Sequence, residues 1–160
     1  WFSSLQEAGV EWVESELMVY NPDLLYGGTL DAIGYLDGVP TLFDWKTTDE
    51  YRVPRDKEGN PIMKKTGGFR KERKRFDGNI RNAVQIGGYM AALKAMGETA
   101  HTVIPTQGYI VYIFRDTQNV HWEKVNLARA EAVFAACASL DANIKNAKDK
   151  GGLYGVPTEL

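Results

Sequence analysis

Two apolar stretches, Leu30–Leu36 and Val39–Trp45, flank the dipeptide Asp37-Gly38. Asp-Gly between such runs is a strong short-range signal for a two-residue hairpin turn. The register follows from the turn. With Asp37 and Gly38 in the loop, Leu36 faces Val39, and counting outward sets Asp31 opposite Asp44 with Lys46 two residues further along the same face. Upstream, Val10–Tyr20 reads as a strand with Trp12, Glu14, Glu16, Met18 and Tyr20 on one face and Val13, Leu17 and Val19 on the other, turned by Asn21-Pro22-Asp23. Trp1–Gly9 reads as the end of a helix. Asn79–Met96 has helical apolar spacing, with Gly97 placed to end it. Gln107–Phe114 is nearly all apolar and reads as a central strand covered on both faces, joined to a strand at Val120–Val125 through a turn at 116–119. Asn126 can cap a last helix, Leu127–Lys148. Asp49–Gly78 keeps no period. It reads as a long loop or a β-hairpin excursion with a mobile tip.

A chain of 160 residues is expected to form one domain, with residues 50–78 as a basic insertion. The one cysteine, Cys137, excludes an internal disulfide and a four-cysteine iron–sulfur cluster, and its alanine-rich setting predicts a small buried apolar residue. No apolar run approaches the length of a membrane span. The chain opens on Trp1, which predicts a fragment lacking an upstream helical part, so a removed targeting segment stays open. Net charge is −2, yet its distribution is uneven. Residues 51–81 hold eleven of the nineteen Lys and Arg against four acids, leaving eight cations against seventeen acids elsewhere. Such a patch suits a polyphosphate partner, and Tyr51 and Phe69 among the cations suit an arm that tracks a nucleic-acid strand; a solvated charged loop is the alternative.

Like charges directly opposed on a hairpin are destabilising, so Asp31 and Asp44 need an offset. A divalent cation such as Mg²⁺ supplies one. Two other readings stay open: both acids are solvated, or a bulge moves one of them away. Glu16, in the middle of its strand, either faces water or joins the pair as a further ligand. Gly27-Gly28 allows close approach of a ligand or strand, or marks a simple turn. Gln85 and Tyr89 share a helix face, and Gly87-Gly88 between them points to close packing. His101 and His121 follow no metal-ligand spacing. No nucleophile elbow, Walker loop or dinucleotide-binding glycine pattern occurs.

Taken in order, Glu16, Gly28-Thr29-Leu30-Asp31, Asp44-Trp45-Lys46 and Gln85-Ile86-Gly87-Gly88-Tyr89 resemble the motifs of the RecB-like branch of the PD-(D/E)XK nuclease superfamily, most of all the mitochondrial genome maintenance exonucleases and their phage relatives. The resemblance covers roughly Val13 to Ile144. It implies an α/β, restriction-endonuclease-like fold, a mixed sheet flanked by helices. It implies Mg²⁺- or Mn²⁺-dependent hydrolysis of DNA, from single-stranded ends; a structure-specific endonuclease or a non-catalytic nucleic-acid-binding domain are the alternatives. Asp31, Asp44, Lys46 and Glu16 would be catalytic. Asp31, Asp44, Glu16 and the Trp45 carbonyl would hold metal. Gln85, Tyr89, Thr47, Arg73, Lys74 and Arg75 would meet DNA. The connecting segment after Lys46 is longer and more basic than in the mitochondrial enzymes, and a single cysteine excludes the iron–sulfur-bearing, Cas4-like members. A cytoplasmic location in a bacterium or phage-infected host is expected, or a mitochondrial one had a targeting segment been removed.

Overall fold

The computed structural model describes residues 8–76 and 79–149, with side chains to Asp141. Five strands form one sheet in the order β1-β2-β3-β6-β7: β1 Val10–Asn21, β2 Tyr26–Leu36, β3 Val39–Thr48, β6 Gln107–Phe114 and β7 Val120–Val125. Only the β3–β6 pair is parallel. Such a pair needs a crossover, and α1, Ile80–Met96, supplies it; α2, Leu127–Asp149, then packs on α1. The chain is an α/β protein built on a mixed sheet. The expected helix at Trp1–Gly9 lies almost wholly outside the described residues.

The predicted turn holds, with Leu36 paired to Val39 and φ of +52° at Asp37 and +73° at Gly38, the two positive values a type I′ turn requires. Helix boundaries also follow local chemistry. Asn79 Oδ1 accepts from the Arg81 and Asn82 amides to start α1, Gly97 at φ +55° ends it, and Asn126 Oδ1 accepts from the Arg129 amide to start α2.

Both helices lie on one face of the sheet. There Leu30, Ile33, Leu42, Ile110 and Phe114 meet Ile86, Met90 and Leu93 of α1 and Leu127 and Ala130 of α2. Each fully buried side chain of this size contributes roughly 1.5–3 kcal/mol. The opposite face carries a second cluster of Val10, Ala32, Phe43 and Val111, edged by Trp45, Tyr109 and Trp122 and containing no residue of either helix. Among the described residues the helices therefore flank one face, and on the other β6 is covered by aromatic side chains of the sheet itself. Gly87 is why the helices sit so close: a Cβ there would fall 2.3 Å from the Ala130 carbonyl oxygen. Cys137 is exposed, not buried, because its part of α2 turns that side away from α1.

The basic segment is a folded ribbon. β4, Tyr51–Arg52, pairs antiparallel with β5, Glu72–Arg73, and further out the chain doubles back through bridges between Arg55 and Pro61 and between Met63 and Phe69. The Ile62 amide donates to Pro54 and the Arg70 amide to Ile62, so residues near 62 run between the two outer segments. The β-hairpin form of the expectation holds.

Candidate active site

The β2–β3 ladder runs from Leu36–Val39 to Ala32–Phe43 and stops one residue short of the Asp31–Asp44 pair. There the Asp31 carboxylate takes over. Its Oδ2 accepts the Trp45 amide at 2.7 Å, filling the place of a β2 carbonyl and letting the strands part. Beyond this split β2 continues on β1 alone, from Leu30–Leu17 to Tyr26–Asn21.

Asp44 stands at the split with its side chain only 1% exposed. Lys46 Nζ lies 2.7 Å from its Oδ2, while Oδ1 has no hydrogen-bond partner in the protein. Burial pushes the Asp44 carboxyl above its ordinary range; Lys46 pulls it back in part, and the charge of Asp31 pushes it up again. Lys46 Nζ also donates to Gln85 Oε1 at 3.0 Å, and Gln85 Nε2 donates to the Tyr89 hydroxyl at 2.7 Å. The Tyr89 ring closes over Gly28, where a Cβ would come within 3.1 Å of Cε1. One polar chain therefore runs from β3 through α1 to β2, gathering Asp44, Lys46, Gln85, Tyr89 and Gly28 at the split that Asp31 holds open.

A buried carboxylate oxygen without an aligned donor, beside a second carboxylate, is a donor set that fits a hard divalent cation such as Mg²⁺ or Mn²⁺. The set is a pair, since no group of three or more His, Cys, Asp or Glu gathers among the described residues. Glu16 stands across from Asp31 on β1, between Ser15 and Leu17 whose partners are Ala32 and Leu30, and it is exposed. Its φ of +52° is rare in a strand, and with the bulge between Trp12 and Glu14 it interrupts the alternation of β1. Thr47 points to the helix-free face, away from Lys46, and with Trp12, Trp45 and Arg115 lines a cleft of about 1130 Å³ that Asp31 also reaches. The Trp45 ring stacks on Phe43 with centroids 6.0 Å apart.

At the root of the arm, two of the three expected DNA-binding cations are engaged within the protein. Arg73 Nε lies 2.8 Å from Glu50 Oε1, and Lys74 Nζ donates to Thr48 Oγ1 at 3.2 Å; Arg75 is exposed. Glu50 Oε2 also accepts from Thr117 Oγ1 at 2.7 Å and Asn119 Nδ2 at 3.3 Å, while Asp116 accepts the Glu50 and Tyr51 amides. The Thr117 hydrogen bond, followed by those of Asn119 and the Arg73 charge, holds Glu50 below its ordinary range against the opposing effect of burial. Sequence reasoning missed Glu50, Asp116, Thr117 and Asn119. A Glu next to a basic segment was the only local signal.

Tyr112 was missed as well. It pairs with Lys46 in the parallel ladder, accepts from Asn82 Nδ2 at 3.2 Å, and has Glu123 Oε2 at 3.1 Å and the Phe76 carbonyl at 3.3 Å. Burial raises its phenol to about 12.

No family model and no curated protein matches the chain. Among solved structures it is similar to the crystal structure of SSO0001, at 17% identity over 87% of this chain and 55% of that one, with a TM-score of 0.36. The chain thus spans about half the length of that protein. Among the described residues no helix is long and apolar enough to cross a membrane.

Proposed function

We propose that the chain is a metal-dependent deoxyribonuclease of the PD-(D/E)XK kind, an exonuclease hydrolysing phosphodiester bonds from single-stranded DNA ends. The observation that carries this reading is Asp44, a carboxylate held out of water near Asp31, with Lys46 at its Oδ2 and no partner for its Oδ1. Asp31 and Asp44 would hold Mg²⁺ or Mn²⁺, which when bound lowers the pKa of water and polarises a phosphoryl oxygen. Lys46 does electrostatic work: its ammonium, set by Asp44 and Gln85, orients the attacking water and offsets charge developing on phosphorus. Gln85 and Tyr89 fix Lys46 and present polar groups to the DNA backbone.

A time course with Mg²⁺ on end-labelled linear single strands and on covalently closed single-stranded circles tests this. Linear strands shorten, circles stay intact, and Lys46→Ala abolishes cleavage while retaining binding. Absence of metal-dependent cleavage by the unaltered protein overturns the enzyme reading in favour of a binding domain, and cut circles overturn the requirement for an end.

A further inference from the structure

The arm divides into a root where Arg52, Arg73 and Lys74 have partners within the protein and an outer half where Lys64, Lys65 and Arg70 have no acid within their own stretch of chain. At the root Arg73 pairs with Glu50, Lys74 bonds Thr48, and Arg52 pairs with Glu72 at 2.7 Å. Arg55, though exposed, donates to the Gly59 carbonyl at 2.6 Å. From Gly59 to Lys71 the chain has no acidic residue, yet it holds Lys64, Lys65, Arg70 and Lys71, of which Lys71 faces the charge of Asp116. The same stretch exposes two large apolar side chains, Met63 at 55% and Phe69 at 53%. They are bridge partners, so they lie side by side on one face of the ribbon.

Exposed apolar surface beside unopposed cations is the chemistry of single-stranded nucleic acid, where ring faces stack on bases and long basic stems reach the phosphates. We infer that the outer half of the arm is a single-strand binding surface, with Phe69 and Met63 as the stacking platform and Lys64, Lys65 and Arg70 as the phosphate-binding cations, while Arg73 and Lys74 anchor the arm. This rests on the nuclease reading for its choice of polyanion. The arm roots at the end of β3 on Thr48 and just past it on Glu50, two and four residues beyond Lys46.

The test is binding without cleavage, so that it stands apart from the catalytic reading. A fluorescein-labelled 20-nucleotide oligothymidylate, the matching duplex and vesicles of anionic phospholipid are titrated against the full chain in EDTA over a range of salt, and cleavage by the unaltered protein in Mg²⁺ is scored separately. The threefold variant Lys64→Gln, Lys65→Gln, Arg70→Gln flattens the log–log salt slope for the oligothymidylate by about 2, near 0.7 for each phosphate left without its cation. Phe69→Ala weakens single-strand binding roughly tenfold at unchanged slope. Arg73→Gln leaves the slope intact. An unchanged slope in the threefold variant, duplex bound as tightly as single strand with Phe69→Ala silent, or preference for the vesicles overturns the inference. Loss of cleavage alone overturns only the catalytic reading.

Discussion

Replacing Asp44 by Asn separates a metal ligand from a structural ion pair, because the two roles predict opposite signs of stability change. Asn keeps the shape of the side chain and removes its charge. The native carboxylate is fully buried, has an unpartnered Oδ1 and is pushed upward in pKa despite Lys46 at 2.7 Å, so the folded environment disfavours its ionised form. Lys46 does not become a stranded charge in the variant, since its side chain is 27% exposed and can reach water. A buried ionised group costs more than its neutral amide, and exchanging one for the other in Asp44→Asn is expected to stabilise the metal-free protein by about 1–2 kcal/mol. For a chain of this length that raises Tm by about 2–8 °C. Mg²⁺ reverses the order. At a hundredfold excess over Kd a bound cation adds about 2.7 kcal/mol to the native protein, a gain the variant largely forgoes. Thermal and urea unfolding followed by circular dichroism, each in EDTA and in Mg²⁺, read both effects. A variant less stable by about 3 kcal/mol or more in EDTA refutes the reasoning, because that is the cost of breaking a buried salt bridge whose other member is left without water.

Three further outcomes are expected. The Tyr112 phenol is raised from 10.0 to about 12, so its contribution is fully present below pH 10 and is lost as pH climbs toward 12; Tyr112→Phe costs about 1 kcal/mol near neutrality and flattens the alkaline fall of stability in urea titrations. Glu50 is held below its ordinary range, so its grip on the arm is complete above that range and fails as pH falls through the depressed value. Glu50→Gln accordingly speeds tryptic cleavage within residues 52–75 with little change in Tm, and an unaltered digestion rate removes Glu50 as the anchor. Gly87→Ala places a methyl group 2.3 Å from a backbone oxygen, an overpacking that costs at least 1–3 kcal/mol or so, read as a drop in the urea midpoint at unchanged slope.

Much of the frame is legible where one residue type dictates local geometry. Asp37-Gly38 fixes the hairpin, Asn79 and Asn126 start the helices, and Gly97 stops the first. The hairpin register then brings Asp31 to the level of Asp44, and the helix period brings Gln85 and Tyr89 together. What is not legible depends on partners remote in the chain. Counting residues cannot show that Asp31 bonds the Trp45 amide and ends the ladder, since an uninterrupted strand and a split one share the same alternation. Arg73 looks available until Glu50 and the turn holding Thr117 and Asn119 fold onto it from the far side of the sequence. The alternation of β1 hides a bulge after Trp12, because an extra residue leaves each half of the pattern intact. Cys137 misleads for a related reason: an alanine-rich helix face is compatible with either side of α2.

The glycine pair in α1 has a mechanical consequence. Gly88 meets the Phe134 ring, whereas Gly87, about half a turn around the helix from Gln85, meets the Ala130 backbone with no side chain between. The two helices therefore cannot come closer at Gly87, which fixes the spacing between α2 and the helix that carries the lysine-holding amide of Gln85.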